Sequence, residues 1–300
     1  MSRPAATSIP ATPAARAKIA LVTGASSGIG EATALKLQSL GYTVYGAARR
    51  VDRMAQLAER GVRVFSMDVT DDASMEAGIE RIISESGRID VLVNNAGYGS
   101  YGALEDVPLD EARAQFDVNV FGAARLIQLV LPHMRAQRSG TIINVSSMGG
   151  KIYTPFGGWY HGTKFALEAL SDCLRLETRP FGISVVVVEP GSIQTEWGGI
   201  AADNLRKVSG QTAYARYAEA MAETLGGESG SSSSPSSRSS SRLSAPTVIA
   251  DAIAKAVTAR RPATRYVAGY GARPLIFLRR VLPDRAFDAV IRRAVRVPAR

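Results

Sequence analysis

The 300 residues are 46% hydrophobic and 21% charged with a mean hydropathy of +0.01, which excludes a disordered or fibrous chain and suits one large α/β domain. A single cysteine, Cys173, and two histidines, His133 and His161, exclude an intrachain disulfide and a His/Cys metal cluster, so no metal site is expected; no apolar run approaches the ~18 residues of a membrane span. The net charge of +9 lies at one end: residues 260–300 hold eleven arginines against Asp284 and Asp288, and the first 259 residues are neutral, which argues against nucleic-acid binding by the main body.

Residues 1–17, acid-free and rich in Ala, Pro, Ser and Thr, read as a disordered tail; Pro4, Pro10 and Pro13 suit a transit peptide poorly. From Lys18 onward, strand-like runs at 19–22, 43–46, 63–67, 89–93, 141–145 and 183–188 alternate with helical lengths, and 264–268 supplies a last strand. This alternation predicts a single α/β domain over 18–300, with a doubly wound, mostly parallel, seven-stranded sheet whose ligands bind at the strands' carboxyl ends. Between helical stretches at 212–225 and 246–259 lies a serine-rich insertion, 229–244, read as a flexible loop. The stretch 275–297 alternates apolar residues with arginines; within the basic segment 273–297 it reads either as a helix packed on its own domain or as a basic amphipathic helix touching a membrane.

Chemistry-bearing residues follow the strands. After the first comes Thr23-Gly24-Ala25-Ser26-Ser27-Gly28-Ile29-Gly30, where glycines allow a tight turn and bring a pyrophosphate to N–H groups at a helix N-terminus. The same residues contain G-x-S-x-G, so a serine hydrolase built on Ser26, with His133 or His161 as base, is a rival reading. The second strand ends Ala48-Arg49-Arg50; an arginine where an acid would bind a free ribose 2′-hydroxyl favours NADP over NAD. Asp68 and Val69 follow the third strand, with Asp68 suited to an adenine edge or to capping the next helix, and Asn94-Asn95-Ala96-Gly97 after the fourth makes a polar floor. Ser147 follows the fifth strand, and Tyr160 opens a helix that places Lys164 on the same face. An ammonium beside a phenol lowers its pKa from about 10, which suits proton exchange with a substrate oxygen that Ser147 also hydrogen-bonds.

Together with Asn119 and Pro190-Gly191-x-Ile193-x-Thr195, these motifs resemble, in order, the short-chain dehydrogenase/reductase family over about residues 18–270. The resemblance implies a Rossmann-type sheet, a nicotinamide cofactor and hydride transfer to or from an alcohol or carbonyl carbon. It implies Tyr160 as general acid/base, Lys164 as its activator and ribose ligand, Ser147 as carbonyl polariser and Asn119, in a helix over 109–135, as anchor of a relay water. Gly191, Ile193 and Thr195 would flank the nicotinamide. Tyr98, Tyr101, Met148, Phe156, Trp159 and Trp197 are expected to face a small lipophilic substrate of steroid, retinoid or long-chain carbonyl type. The expected protein is a cytoplasmic homo-oligomeric enzyme; a non-catalytic nucleotide-binding scaffold is the rival from another class.

Overall fold

In the computed structural model, which describes residues 17–227 and 243–295, seven strands form one parallel sheet in the order β3-β2-β1-β4-β5-β6-β7. They are β1 Ile19–Thr23, β2 Thr43–Ala48, β3 Arg63–Ser66, β4 Val91–Asn94, β5 Gly140–Val145, β6 Ile183–Pro190 and β7 Arg265–Ala268. Residues 1–16, most of the serine-rich insertion and 296–300 lie outside the described residues. The inner apolar runs form strands that bury both faces: Ala20, Val22, Val93, Ile143 and Val186 point to one side and Ile19, Leu21, Leu92, Ile142 and Val185 to the other, whereas the edge strands β3 and β7 are only partly buried.

Helices α1 (Gly28–Ser39) and α9 (Pro246–Thr258) cover the first side through Ala34, Leu37, Ile249 and Ile253. Helices α3 (Asp72–Ser86) and α5 (Ala123–Gln137) cover the second through Ile79, Ile82, Leu126 and Val130, while the short α2 (Ala55–Glu59) leads into β3. The sheet order reverses between β1 and β4, so their carboxyl ends open a crevice. Helix α6 (Gly158–Thr178) packs along β6, and α7 (Trp197–Ser209) and α8 (Ala215–Gly227) pack on each other beyond it.

Two expected helices are divided. The stretch 109–135 consists of α4 (Leu109–Phe116), a π-helical segment Asp117–Gly122 and α5. The C-terminal stretch is α10 (Ala272–Val281) and α11 (Asp284–Ala294), parted at Leu282-Pro283, where proline cannot continue the hydrogen-bond ladder. Phe287 and Ile291 of α11 are buried against Ile152, so this segment packs on its own domain. No helix among the described residues is long and apolar enough to cross a membrane.

Candidate active site

The glycine turn between β1 and α1 is pinned to the segment leaving β4. Thr23 Oγ1 accepts hydrogen bonds from the Asn95 and Ala96 backbone N–H groups, both at 3.1 Å, and the Asn95 amide donates to Thr23 O at 2.9 Å. Gly24 and Gly28 are left-handed, with φ of 64° and 56°. A Cβ on Gly30 would lie 2.1 Å from the Gly24 carbonyl oxygen, so only glycine lets α1 start this close to the turn. Ser27 caps α1 without a side-chain hydrogen bond, leaving the first-turn N–H groups free for an anion. Gly30→Ala is therefore expected to weaken nicotinamide dinucleotide binding by roughly 5- to 150-fold, since overpacking costs ~1–3 kcal/mol; titration of cofactor fluorescence would show it.

Across the crevice, Ser147 lies two residues past β5 and Tyr160 in the first turn of α6. The Ser147 hydroxyl accepts a hydrogen bond from Gly149 N at 2.9 Å and stands near enough to the Tyr160 phenol to pull its pKa down. One helical turn on, Lys164 is buried and its Nζ donates to Val145 O at 3.0 Å, 5.9 Å from the Tyr160 ring centroid. The π-helical segment aims Asn119 at the same place: its amide donates to Tyr98 O at 2.9 Å and Thr163 Oγ1 at 3.1 Å, and its oxygen accepts from Tyr98 N at 3.0 Å. Gly97 forms the floor; a Cβ there would stand 3.0 Å from Asn119 Oδ1 and 3.6 Å from Lys164 Nζ.

The electrostatics depart from the expectation of a lowered phenol pKa. Burial pushes Tyr160 up to about 12, and the Ser147 hydroxyl opposes it without prevailing. Burial likewise holds Lys164 down to about 8, with the Glu168 charge opposing. The reason is packing: the phenol ring lies against Trp197 (5.1 Å between centroids), His161 (5.7 Å) and Tyr101 (6.0 Å), and one of the three Lys164 N–H groups is directed to a carbonyl beside the ring.

The model of the short chain dehydrogenase family matches residues 18–204. This chain belongs to that family. It is 42% identical over 208 residues to 3-ketodihydrosphingosine reductase of Bacteroides thetaiotaomicron, covering 69% of this chain and 74% of that protein. To the NADPH-dependent 3-dehydrocapnine reductase of Ornithobacterium rhinotracheale it is 38% identical over 191 residues, covering 60% of this chain and 68% of that one. A solved short-chain dehydrogenase from Streptomyces avermitilis superposes with a TM-score of 0.74 at 33% identity, covering 91% and 93% of the two chains.

As a short-chain dehydrogenase the protein is an oxidoreductase, and the Gly30 cradle with the uncapped start of α1 fits a nicotinamide dinucleotide. The loop after β6 closes over the turn: Gly28 faces Thr195, and Arg53 pairs with Glu196 at 3.3 Å. Gly191 N donates to Ala268 O at 2.8 Å, and Ile193 bridges to Ser244, the end of the serine-rich insertion. Arg49 is exposed just past β2. Asp68 does not cap α3; Asp71 does, while Asp68 Oδ1 accepts from Thr70 N and Oγ1, and Val69 is buried.

The hydrolase reading of Ser26 fails on its base. His161 engages Gly149 O through Nδ1 and Thr154 through Nε2, both about 3 Å, and burial pushes its pKa down, which makes it a neutral brace of the loop after Ser147. His133 lies on α5, among the helices flanking the sheet. Of the six expected substrate-facing residues, Tyr101 and Trp197 surround Tyr160, but Trp159 lies in an outer groove with Leu109 and Phe116. Met148 packs with Ile152 beside the C-terminal helices, while Phe156, like Trp197, packs on the cluster of Tyr101 and Tyr160 and also lies against Tyr214.

Sequence reading missed the ionic cluster one turn beyond Lys164. Arg265 Nε lies 3.2 Å from Glu189, and its NH2 reaches Glu168 at 2.9 Å and Asp172 at 2.6 Å, while Lys151 reaches Glu168 at 2.8 Å. Its members come from β6, α6, β7 and the loop after β5, so no local pattern announces it. Burial and the neighbouring Glu168 charge push Glu189 up to about 7, whereas the Arg265 hydrogen bond draws Asp172 down to about 2.

Proposed function

We propose that the protein is an NADPH-dependent reductase of a lipophilic ketone, with a long-chain 3-keto compound as the favoured substrate class. The juxtaposition that carries this reading is the Ser147 hydroxyl near the Tyr160 phenol, with Lys164 one turn along the same helix, beside the aromatic wall of Tyr101 and Trp197. Bound nicotinamide supplies the hydride. Ser147 and Tyr160 hold the carbonyl oxygen, and Tyr160 gives it a proton. Lys164 binds the nicotinamide ribose and, with Asn119 and a water, replenishes that proton. Gly24, Ser26, Gly28, Ile29 and Gly30 receive the diphosphate, and Asp68 and Val69 the adenine. Asn95, Ala96 and Gly97 line the floor, while Pro190, Gly191, Ile193 and Thr195 flank the nicotinamide.

The relatives named 3-ketodihydrosphingosine reductase and NADPH-dependent 3-dehydrocapnine reductase support the substrate class and the cofactor. The aromatic wall supports it independently. Exposed Leu109 and Phe121, with Phe116 and Trp159, form an apolar groove that suits self-association, and the exposed free thiol of Cys173 suits the reducing cytoplasm.

Oxidation of NADPH and NADH against ketones graded by chain length tests the reading: rates should rise with length and NADPH should be preferred. Activity confined to short polar carbonyls would overturn the substrate class. Arg49→Ala should raise KM for NADPH by roughly 10–100-fold, because a charge-assisted bond contributes ~1.5–3 kcal/mol, and leave KM for NADH nearly unchanged.

A further inference from the structure

Residues 260–300 hold all of the net positive charge, and apart from Arg265 nothing described above uses it. Helix α10 packs Leu275 and Leu278 inward, toward Ile152, Phe287 and Ile291. Its outward side, turn by turn, presents Arg273, Phe277, Arg280 and Val281, with Phe277 63% and Val281 55% exposed. Helix α11 buries Phe287 and Ile291 in the same cluster and turns Arg285, Arg292 and Arg293 to solvent. Arg279 pairs with Asp284 at 3.0 Å and lies over the Tyr153 and Phe287 rings. By contrast Arg280, Arg285, Arg292 and Arg293 have no ion-pair partner among the described residues.

Large apolar side chains held in water among unpaired guanidinium groups fit one environment well. Arginines pair with lipid phosphates while an aromatic ring enters the boundary beneath them. A nucleic-acid backbone would use the arginines and leave Phe277 and Val281 idle.

The inner side of the same helix pair adjoins the substrate wall. Helix α10 contacts the turn at Met148–Gly150, directly after Ser147, and Val295, just past α11, joins the cluster of Tyr101, Tyr160, Trp197 and Leu205.

We propose that the outward faces of α10 and α11 dock the protein on an anionic lipid bilayer, with Phe277 and Val281 entering the headgroup region. Docking there sets the reaction cleft against the lipid from which a lipophilic ketone is drawn; this second part rests on the substrate class proposed above, whereas the docking does not.

Co-sedimentation of the full chain with phosphatidylcholine vesicles, with and without phosphatidylglycerol, tests it. Binding is expected only with the anionic lipid and should weaken as salt rises. A surface arginine contributes roughly a fivefold factor, so Arg280→Ala/Arg285→Ala/Arg292→Ala combined should lower partitioning on the order of 100-fold. Phe277→Ser, which keeps every charge, should lower it several-fold. Equal binding to neutral vesicles, variants that bind like the parent, or binding to duplex DNA without binding to vesicles would each overturn the proposal. Turnover of a short water-soluble ketone should stay at the parent level in both variants, which separates failure of docking from failure of the enzymatic reading.

Discussion

Replacing Tyr160 by phenylalanine is expected to lower kcat by a factor on the order of 10² to 10⁴, the range that a positioned general acid contributes. The substitution removes one oxygen and keeps the ring that Tyr101, His161 and Trp197 pack against, so fold and cofactor affinity should change little. Single-turnover NADPH oxidation, with cofactor affinity measured in parallel, separates the two effects. A variant retaining more than a tenth of the parent rate would sink the assignment of the proton to this phenol. With Tyr160 pushed up to about 12, the phenol is protonated throughout the neutral range, the state that reduction of a carbonyl requires. Alcohol oxidation needs the phenolate, and its rate should climb with pH.

Arg265→Ala carries the largest expected cost in stability. It would leave the buried Glu168 and Glu189 with Lys151 as their cation, and breaking such a cluster costs ~3–5 kcal/mol. Because Arg265 is itself 27% exposed, the lower end applies, about 3 kcal/mol, or roughly 6–12 °C in Tm for a domain this size. A melting shift under a few degrees would show that the cluster is solvated in solution. The same cluster sets a pH dependence. Glu189 titrates at about 7 when folded against 4.5 in a free side chain, so between these values the folded chain binds the extra proton. Its contribution is fully present below 4.5 and is lost as pH rises through about 7. His161, with its folded pKa lowered, acts in the opposite sense, costing stability as pH falls through 6.5. Comparing denaturation midpoints of the parent and Glu189→Gln across this window isolates the carboxyl: the falling component should vanish in the variant.

The five inner runs were legible in the sequence because a parallel strand covered on both faces must be apolar almost throughout; the edge strands β3 and β7 are only partly buried, and all seven lie within a few residues of their expected ends. The glycine turn, Ser147, Tyr160 and Lys164 were legible for a related reason. Each needs one residue type at one place relative to a strand end, and Tyr160 and Lys164 lie a fixed helical turn apart. What spacing could not carry was anything set by contacts between distant segments. Thr23 gripping Asn95 and Ala96, the π-helical aim of Asn119 and the Arg265 cluster all join elements far apart in the chain. The sign of the Tyr160 shift belongs to the same class. A sequence shows that an ammonium is one turn from a phenol; only packing shows that Lys164 donates to Val145 O and that the ring is buried. Burial, the stronger of two opposed effects here, is a property of the whole fold, so the amino-acid order determined which groups meet while the tertiary structure decided what their meeting does.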